Sequence, residues 1–145
     1  MDDITIGNIL KNAKVIAVVG CSKTPGKDAH DVPELMQSKG YRIIPINPTA
    51  TEILGETAYP SLLDLPLELK EQIDIIDVFR PSNEVAEIVE QAIKLKEETG
   101  KKYVIWTQLG IQDDSAAEKA REAGLEVVQN HCLKIEYNKY NKLLL

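Results

Sequence analysis

The chain has 145 residues, 43% of them apolar, with two cysteines and a formal net charge of −6. That length suits one domain that buries a core without disulfide or metal staples, and the acidic balance excludes a general nucleic-acid binder, whose affinity rests on a basic surface. Met1-Asp2-Asp3 opens no basic, apolar leader, and no apolar run reaches membrane-spanning length, so the expectation is a cytoplasmic protein that meets no membrane. Cys21 and Cys132 match neither a secreted disulfide framework nor a paired zinc spacing.

In chain order, residues 3–12 place Ile6, Ile9 and Leu10 on one helical face behind an acidic start, a short helix that covers an edge of the fold. Val15 to Val19 is a run dominated by β-branched residues, which suits a strand buried on both faces, and Gly20 ends it. The residues after Gly20 are small, polar or basic and lead into a helical pattern. A strand, a tight turn and a helix N-terminus in that order hold phosphate in many α/β proteins, so this turn is the first candidate ligand site. In the helix that follows, Val32, Leu35 and Met36 face inward and Gly40 closes it. Asp28 or Asp31 can cap it; Pro33, tolerated only near a first turn, favours Asp31 or an irregular opening turn.

Residues 41–48 read as a second strand, in which Pro45 needs a weakly paired side. Residues 49–66 carry Gly55, Pro60 and Pro66 with little periodicity, and read as a loop with a short strand near Ala58-Tyr59 and a helical turn after Ser61, of little chemical interest. Residues 73–79 form the third long strand, stopping at Arg80-Pro81. Ser82 then caps a helix with Val85, Ile88, Val89, Ala92 and Ile93 inward, ended by Gly100. Residues 103–106 are a fourth strand, Asp113 or Asp114 starts a helix through Ala116, Ala117 and Ala120, and residues 125–129 are a fifth strand. The tail, 130–145, reads as a turn and a short helix, with Tyr137, Tyr140 and Leu143 to Leu145 as an apolar end suited to a second subunit or partner protein.

Strands alternating with helices predict an α/β fold: one doubly wound, Rossmann-like domain over 1–145, with a mainly parallel five-stranded sheet and helices on both faces. By analogy with the Rossmann type, the expected strand order is 3-2-1-4-5. Ligands in such sheets bind outside the carboxyl ends of the strands. Here those ends are 20–23, 47–48, 79–82, 106–110 and 130–132, rich in polar and aromatic groups.

The first turn is not a P-loop, because five residues separate Gly20 from Gly26 and Asp28, not a hydroxyl residue, follows Lys27. It is also a poor dinucleotide fingerprint, with Ser22 where the second glycine belongs. The second strand ends in Asn47 rather than the acid that takes an NAD ribose, which disfavours an NAD dehydrogenase. Neutral Asn47 near Lys23, Lys27 and Arg80 better tolerates a nucleotide carrying extra phosphate.

Six segments in order then carry a likeness over about 10–140: residues 18–22, 45–48, 55–66, 77–80, 106–110 and 130–132. Together they resemble the CoA-binding domain family, small stand-alone proteins similar to the N-terminal Rossmann-like domain of the succinyl-CoA synthetase alpha subunit. The resemblance implies that coenzyme A lies on the strand ends. Gly20, Cys21, Ser22 and Lys23 would meet phosphate through backbone donors, and Asn47 and Pro48 would flank the ribose or adenine. Val78, Phe79 and Arg80 would line the adenine side, Trp106, Gln108 and Gly110 would wall the pantetheine, and Asn130 would close the pocket. Arg80 is the expected phosphate partner, because a guanidinium forks onto phosphate oxygens.

The synthetase keeps its phosphorylated histidine in a second domain that this chain does not match, and neither His30 nor His131 substitutes for it. Glu136 and Asp77 show no partner for acid–base work. The expectation is therefore a binder of CoA or an acyl-CoA with no catalytic residues of its own and no metal. Two other readings stand beside it. In one, Cys21 at a helix N-terminus has a lowered pKa and, with Cys132, exchanges with the CoA thiol. In the other, the domain takes another nucleotide of the NAD type.

Overall fold

In the computed structural model, which describes the backbone of residues 3–144 and the side chains of residues 3–141, the long strands are β1 (Val15–Val19), β2 (Arg42–Ile46), β5 (Ile75–Val78), β6 (Val104–Thr107) and β7 (Glu126–Val128). A small hairpin, β3 (Glu52–Ile53) with β4 (Glu56–Thr57), lies between β2 and β5 in sequence. The helices are α1 (Asp3–Asn12), α2 (Asp28–Ser38), α3 (Leu67–Gln72), α4 (Val85–Thr99), α5 (Asp114–Glu122) and α6 (Leu133–Leu144). The long strands pair in parallel in the order β2-β1-β5-β6-β7.

Alternation along each strand divides the core into two layers. Ile16, Val18, Ile43, Ile75, Trp106 and Val128 pack with Ile6 and Leu10 of α1, Met36 of α2 and Leu133 of α6. Ala17, Ile44, Ile76, Val78, Ile105 and Val127 pack on the other face with Leu69 of α3, Val85, Val89 and Leu95 of α4, and Ala117 of α5. The doubly wound fold follows, since each strand buries both sides and each side needs its own helices. Among the described residues no helix is long and apolar enough to cross a membrane.

The strand order corrects the expected 3-2-1-4-5: the third long strand, β5, lies beside β1 rather than beyond β2. The outer edge of β2 is already occupied. Tyr59 donates its N–H to the Pro45 carbonyl at 3.1 Å and accepts from Asn47 N at 2.9 Å, a one-residue parallel bridge in the place of a third strand. Arg42 and Ile46 make their backbone bonds toward β1, so Pro45 turns its donor-less nitrogen to this weakly paired edge, as expected.

Several local readings are also corrected. Helix α2 begins at Asp28 with Lys27 at the N-cap and no side-chain cap, so Pro33 lies beyond the first turn. It is tolerated because the Ala29 carbonyl, which a residue 33 N–H would have reached, accepts from Ser22 N at 3.0 Å instead. Asp31 does not cap the helix; its Oδ1 accepts from Gly26 N at 3.1 Å and folds the preceding loop. Ser82 does not cap α4 either: a 3-10 turn at Ser82–Glu84 precedes the helix, and Ser82 Oγ accepts from Gln112 N at 2.9 Å. Gly100 closes α4 in the left-handed conformation, and Asp113 caps α5 through Ala116 N, both as expected. Helix α3 and the β3–β4 hairpin were not foreseen.

The apolar end is used inside the chain. Tyr137 meets Tyr41 edge to face with centroids 6.0 Å apart. Tyr140 packs on Gly7, where a Cβ would sit 2.9 Å from the ring. These tyrosines pack, partly buried, against the chain's own core; Leu143 to Leu145, the rest of that expected end, lie outside the described side chains.

Candidate ligand-binding site

The strands β1 and β5 are neighbours, yet β1 leads into α2 on one face of the sheet and β5 leads into α4 on the other. Adjacent loops that leave in opposite directions open a crevice at their carboxyl ends, the usual ligand position in an open parallel sheet. Gly20 and Phe79-Arg80 form its two lips. At Gly20, with φ +90°, a Cβ would lie 2.8 Å from Arg80 Cδ and 2.9 Å from the Phe79 carbonyl oxygen, so only glycine fits. A cleft of about 270 Å³ runs from there along the α4 side, lined by Val19, Gly20, Pro48, Pro60, Ser61, Arg80, Glu84 and Ile88 among others. Pro60 and Ser61 belong to the segment expected to carry little chemistry, which instead forms one wall.

Neighbouring loops are tied across the rim. Gly20 N–H donates to the Ile46 carbonyl at 3.0 Å, and Asn47 Nδ2 donates to the Cys21 carbonyl at 2.9 Å. Asn47 Oδ1 accepts from Thr49 N, Thr49 Oγ1 and Ala50 N, so this side chain folds its own turn as well as binding the first loop. Gln108 N–H reaches the Val78 carbonyl at 3.2 Å, Gly110 N–H reaches Asn130 Oδ1 at 2.6 Å, and Trp106 Nε1 reaches the His131 carbonyl at 2.9 Å. Asn130 holds a left-handed φ of 59° to do this.

In the first turn, the N–H groups of Gly20 and Ser22 are therefore spent on the Ile46 and Ala29 carbonyls. Those of Cys21 and Lys23 have no partner among the described residues. The side chains of Cys21, Val78 and Trp106 are each 0% exposed and do not line the rim themselves, while the backbone N–H expected of Cys21 is one of those left without a partner. Strand alternation turns the Val78 side chain into the α4 layer and Trp106 into the α2 layer, so both support the rim from below. Gln108 is also nearly buried, Phe79 is half-buried, and Ser22, Lys23, Pro48, Arg80, Gly110 and Asn130 reach the surface to differing degrees.

Arg80 is already engaged. Its Nε and Nη2 fork onto Glu84 Oε1 and Oε2 at 3.2 and 2.8 Å across one helical turn. Both groups are partly exposed, so the pair is weak and exchangeable. An incoming phosphate would compete with Glu84 for the same guanidinium face.

Asp77, read in the sequence only as an acid without a partner for acid–base work, stands in the middle of the central strand and is fully buried. Its Oδ1 accepts from Gln108 Nε2 at 2.6 Å, and its Oδ2 has no partner. Burial pushes the carboxyl up to about 8, only partly opposed by the Gln108 bond. The signal was an acid inside the otherwise apolar run 75–79. Burial, with the nearby Asp77, likewise pushes the Cys21 thiol up to about 12, the reverse of the lowering expected at a helix N-terminus. His131 Nδ1 pairs with buried Glu136 at 3.2 Å, and His30 Nδ1 with Asp31 at 2.9 Å. Among the described residues, the group spaced to ligate a cation is His30, Asp31 and Glu34, where Asp31 Oδ1 is already shared between His30 and Gly26 N.

These elements define a class: a Rossmann-like domain whose ligand crevice opens at the switch point of a parallel sheet. Residues 14–138 match the family model described as CoA binding domain, and the chain belongs to that family. It is 36% identical over 132 residues to the protein YneT of Bacillus subtilis (strain 168), covering 91% of each chain. The structure of cell-free ID.343 from Thermus thermophilus superposes with a TM-score of 0.84 at 37% identity, over 97% of this chain and 99% of that one. Acetate–CoA ligase (ADP-forming) II of Archaeoglobus fulgidus is 29% identical over 126 residues, 84% of this chain but 17% of the ligase.

Proposed function

We propose that the rim binds coenzyme A or an acyl-CoA without transforming it. Membership of a CoA binding domain family supports CoA as the ligand, and the crevice offers the chemistry for its phosphates. The observation that carries the reading is the meeting of the Gly20 turn and Arg80 across the switch point, with the Cys21 and Lys23 N–H groups unspent beside it. The phosphates would take those donors and displace Glu84 from Arg80, and the adenosine would lie in the cleft against Pro48, Pro60 and Ser61. Gln108, Gly110 and Asn130 would border the pantetheine. One chain assembles the whole rim, and we assign it to the cytoplasm on its acidic, cysteine-poor composition.

The His131–Glu136 and His30–Asp31 pairs each join one buried group to one that reaches the surface, at or just before a helix start, and each histidine is held by its carboxylate, which favours binding over acid–base catalysis. A thiol-exchange role for Cys21 is opposed by its burial and raised pKa. An NAD-type ligand is opposed by Asn47, whose side chain is occupied by the first two loops.

Calorimetric titration with CoA, dephospho-CoA, NAD and ATP tests the reading. CoA should bind most tightly, with a loss on removing the 3′-phosphate. Binding of NAD without binding of CoA would overturn it.

A further inference from the structure

Resting on the CoA reading, we propose that Asp77 is a positioning residue of the rim: its carboxyl must be neutral for the Gly20–Lys23 turn to accept phosphate, so anionic ligand binding is coupled to protonation of this one group.

The geometry is specific to this strand. Asp77 stands in register with Val18 on β1 and Trp106 on β6, so it lies in the apolar α2-side layer, two residues before the Phe79-Arg80 lip of the crevice. Ile76 and Val78, its neighbours, face the other layer. One oxygen holds Gln108, a wall residue of the rim, and the other is orphaned in a fully buried setting. No cation is hydrogen-bonded or ion-paired to it among the described residues. Such a carboxyl is stable when neutral, and burial raises its pKa accordingly.

The buried titratable groups on the elements packed over this face are Cys21, His30 of α2, Tyr41 before β2 and Glu136 of α6. His30 is held by Asp31, Tyr41 by the Leu10 carbonyl, and Glu136 by His131 and Lys139. Cys21 is the one whose titration Asp77 raises, which places the carboxyl's field at the first turn. When Asp77 ionises, a negative charge appears in a medium of low dielectric beneath donors meant for phosphate, and the repulsion is poorly screened. The charged carboxylate also requires a second donor that its surroundings lack, so Gln108 and the Cys21 turn must shift to supply one.

The sign is that affinity is full while Asp77 is protonated and falls as pH rises through its folded pKa near 8. The proton comes from solvent and returns to it on release of the ligand. Calorimetric titration with CoA, and with adenosine 3′,5′-bisphosphate as a probe without a thiol, is run from pH 6.5 to 9 on the wild-type chain and on Asp77→Asn. The amide keeps an acceptor for Gln108 and has no charge to gain. Wild-type affinity should fall toward about tenfold per pH unit above the pKa, the slope for one linked proton, while Asp77→Asn loses no more than the ligand's own titration removes. Parallel profiles for the two proteins would overturn the inference and leave the CoA reading intact. Failure of CoA to bind the wild-type chain at pH 6.5 would remove the CoA reading and this inference with it. Should Asp77→Asn not fold, the wild-type chain decides alone: titrations at pH 8.5 in buffers of different ionisation enthalpy should show net proton uptake on binding, and none would overturn the proposal.

Discussion

Two buried polar side chains, one on each face of the sheet, are satisfied to different degrees. On the α4 side, Tyr103 is fully buried with its hydroxyl on the Lys70 carbonyl at 2.6 Å and beside Thr99 Oγ1 at 2.9 Å, so its polarity is satisfied and local. On the α2 side, Asp77 is equally buried with one oxygen orphaned, and its single partner belongs to the rim. A satisfied polar group adds to stability; an unsatisfied one costs stability and persists where something else depends on it. On the inference drawn above, that cost is carried near the carboxyl end of β5, where Asp77 holds Gln108 of the rim.

The largest test removes the lip shared by both faces. Gly20→Ala forces a side chain into a left-handed backbone and against the Phe79 carbonyl, and should cost about 3 kcal/mol in urea unfolding and abolish CoA binding. Next, Asp77→Asn should be more stable than the wild-type chain by about 1 kcal/mol or more at pH 8, since each tenfold change in a carboxyl's proton affinity on folding is worth ~1.4 kcal/mol. The folded pKa of Asp77 is raised to about 8, so its contribution is favourable below its unfolded value and is lost as pH climbs through the folded one. Unfolding midpoints measured from pH 5 to 9 should show the wild-type chain losing more than the variant.

Tyr103→Phe strands the Lys70 carbonyl on the opposite face, and should cost about 1–2 kcal/mol with no change in the pH profile from 5 to 9 and none in CoA affinity. If Tyr103→Phe altered the ligand's pH dependence as Asp77→Asn does, the distinction between the faces would fail. The smallest effect is expected at Glu84→Gln, which frees the Arg80 fork; CoA affinity should rise by a few fold, about 0.5–1 kcal/mol for one exposed ion pair, as read by calorimetry.

Much of the frame was legible because burial on both faces writes itself as apolar runs: β1, β2 and β5 fall within the expected segments, and Gly100 and Asp113 stop and start helices where they should. The strand order was not legible, since it turns on Tyr59 occupying the edge of β2 through a single bridge. Pro33 misled for a related reason: the partner that excuses it, Ser22 N–H, lies on another loop. At the rim, which loops would converge could be read from the strand ends, but side-chain direction could not. Trp106 and Val78 follow strand alternation into opposite cores, and Asn47 spends itself on backbone. Asp77 was visible as a charge in an apolar strand, while its orphaned oxygen is a property of three strands and a loop together.

A more open groove of about 360 Å³ at the opposite edge, between α1 and the amino ends of β5 to β7, offers a direct control. Amide chemical shifts followed while CoA is added at pH 6.5 should move at Gly20, Cys21, Lys23, Arg80, Gln108 and Gly110 and stay still at Asn8, Val104 and Glu126. Shifts confined to that second group would contradict the account.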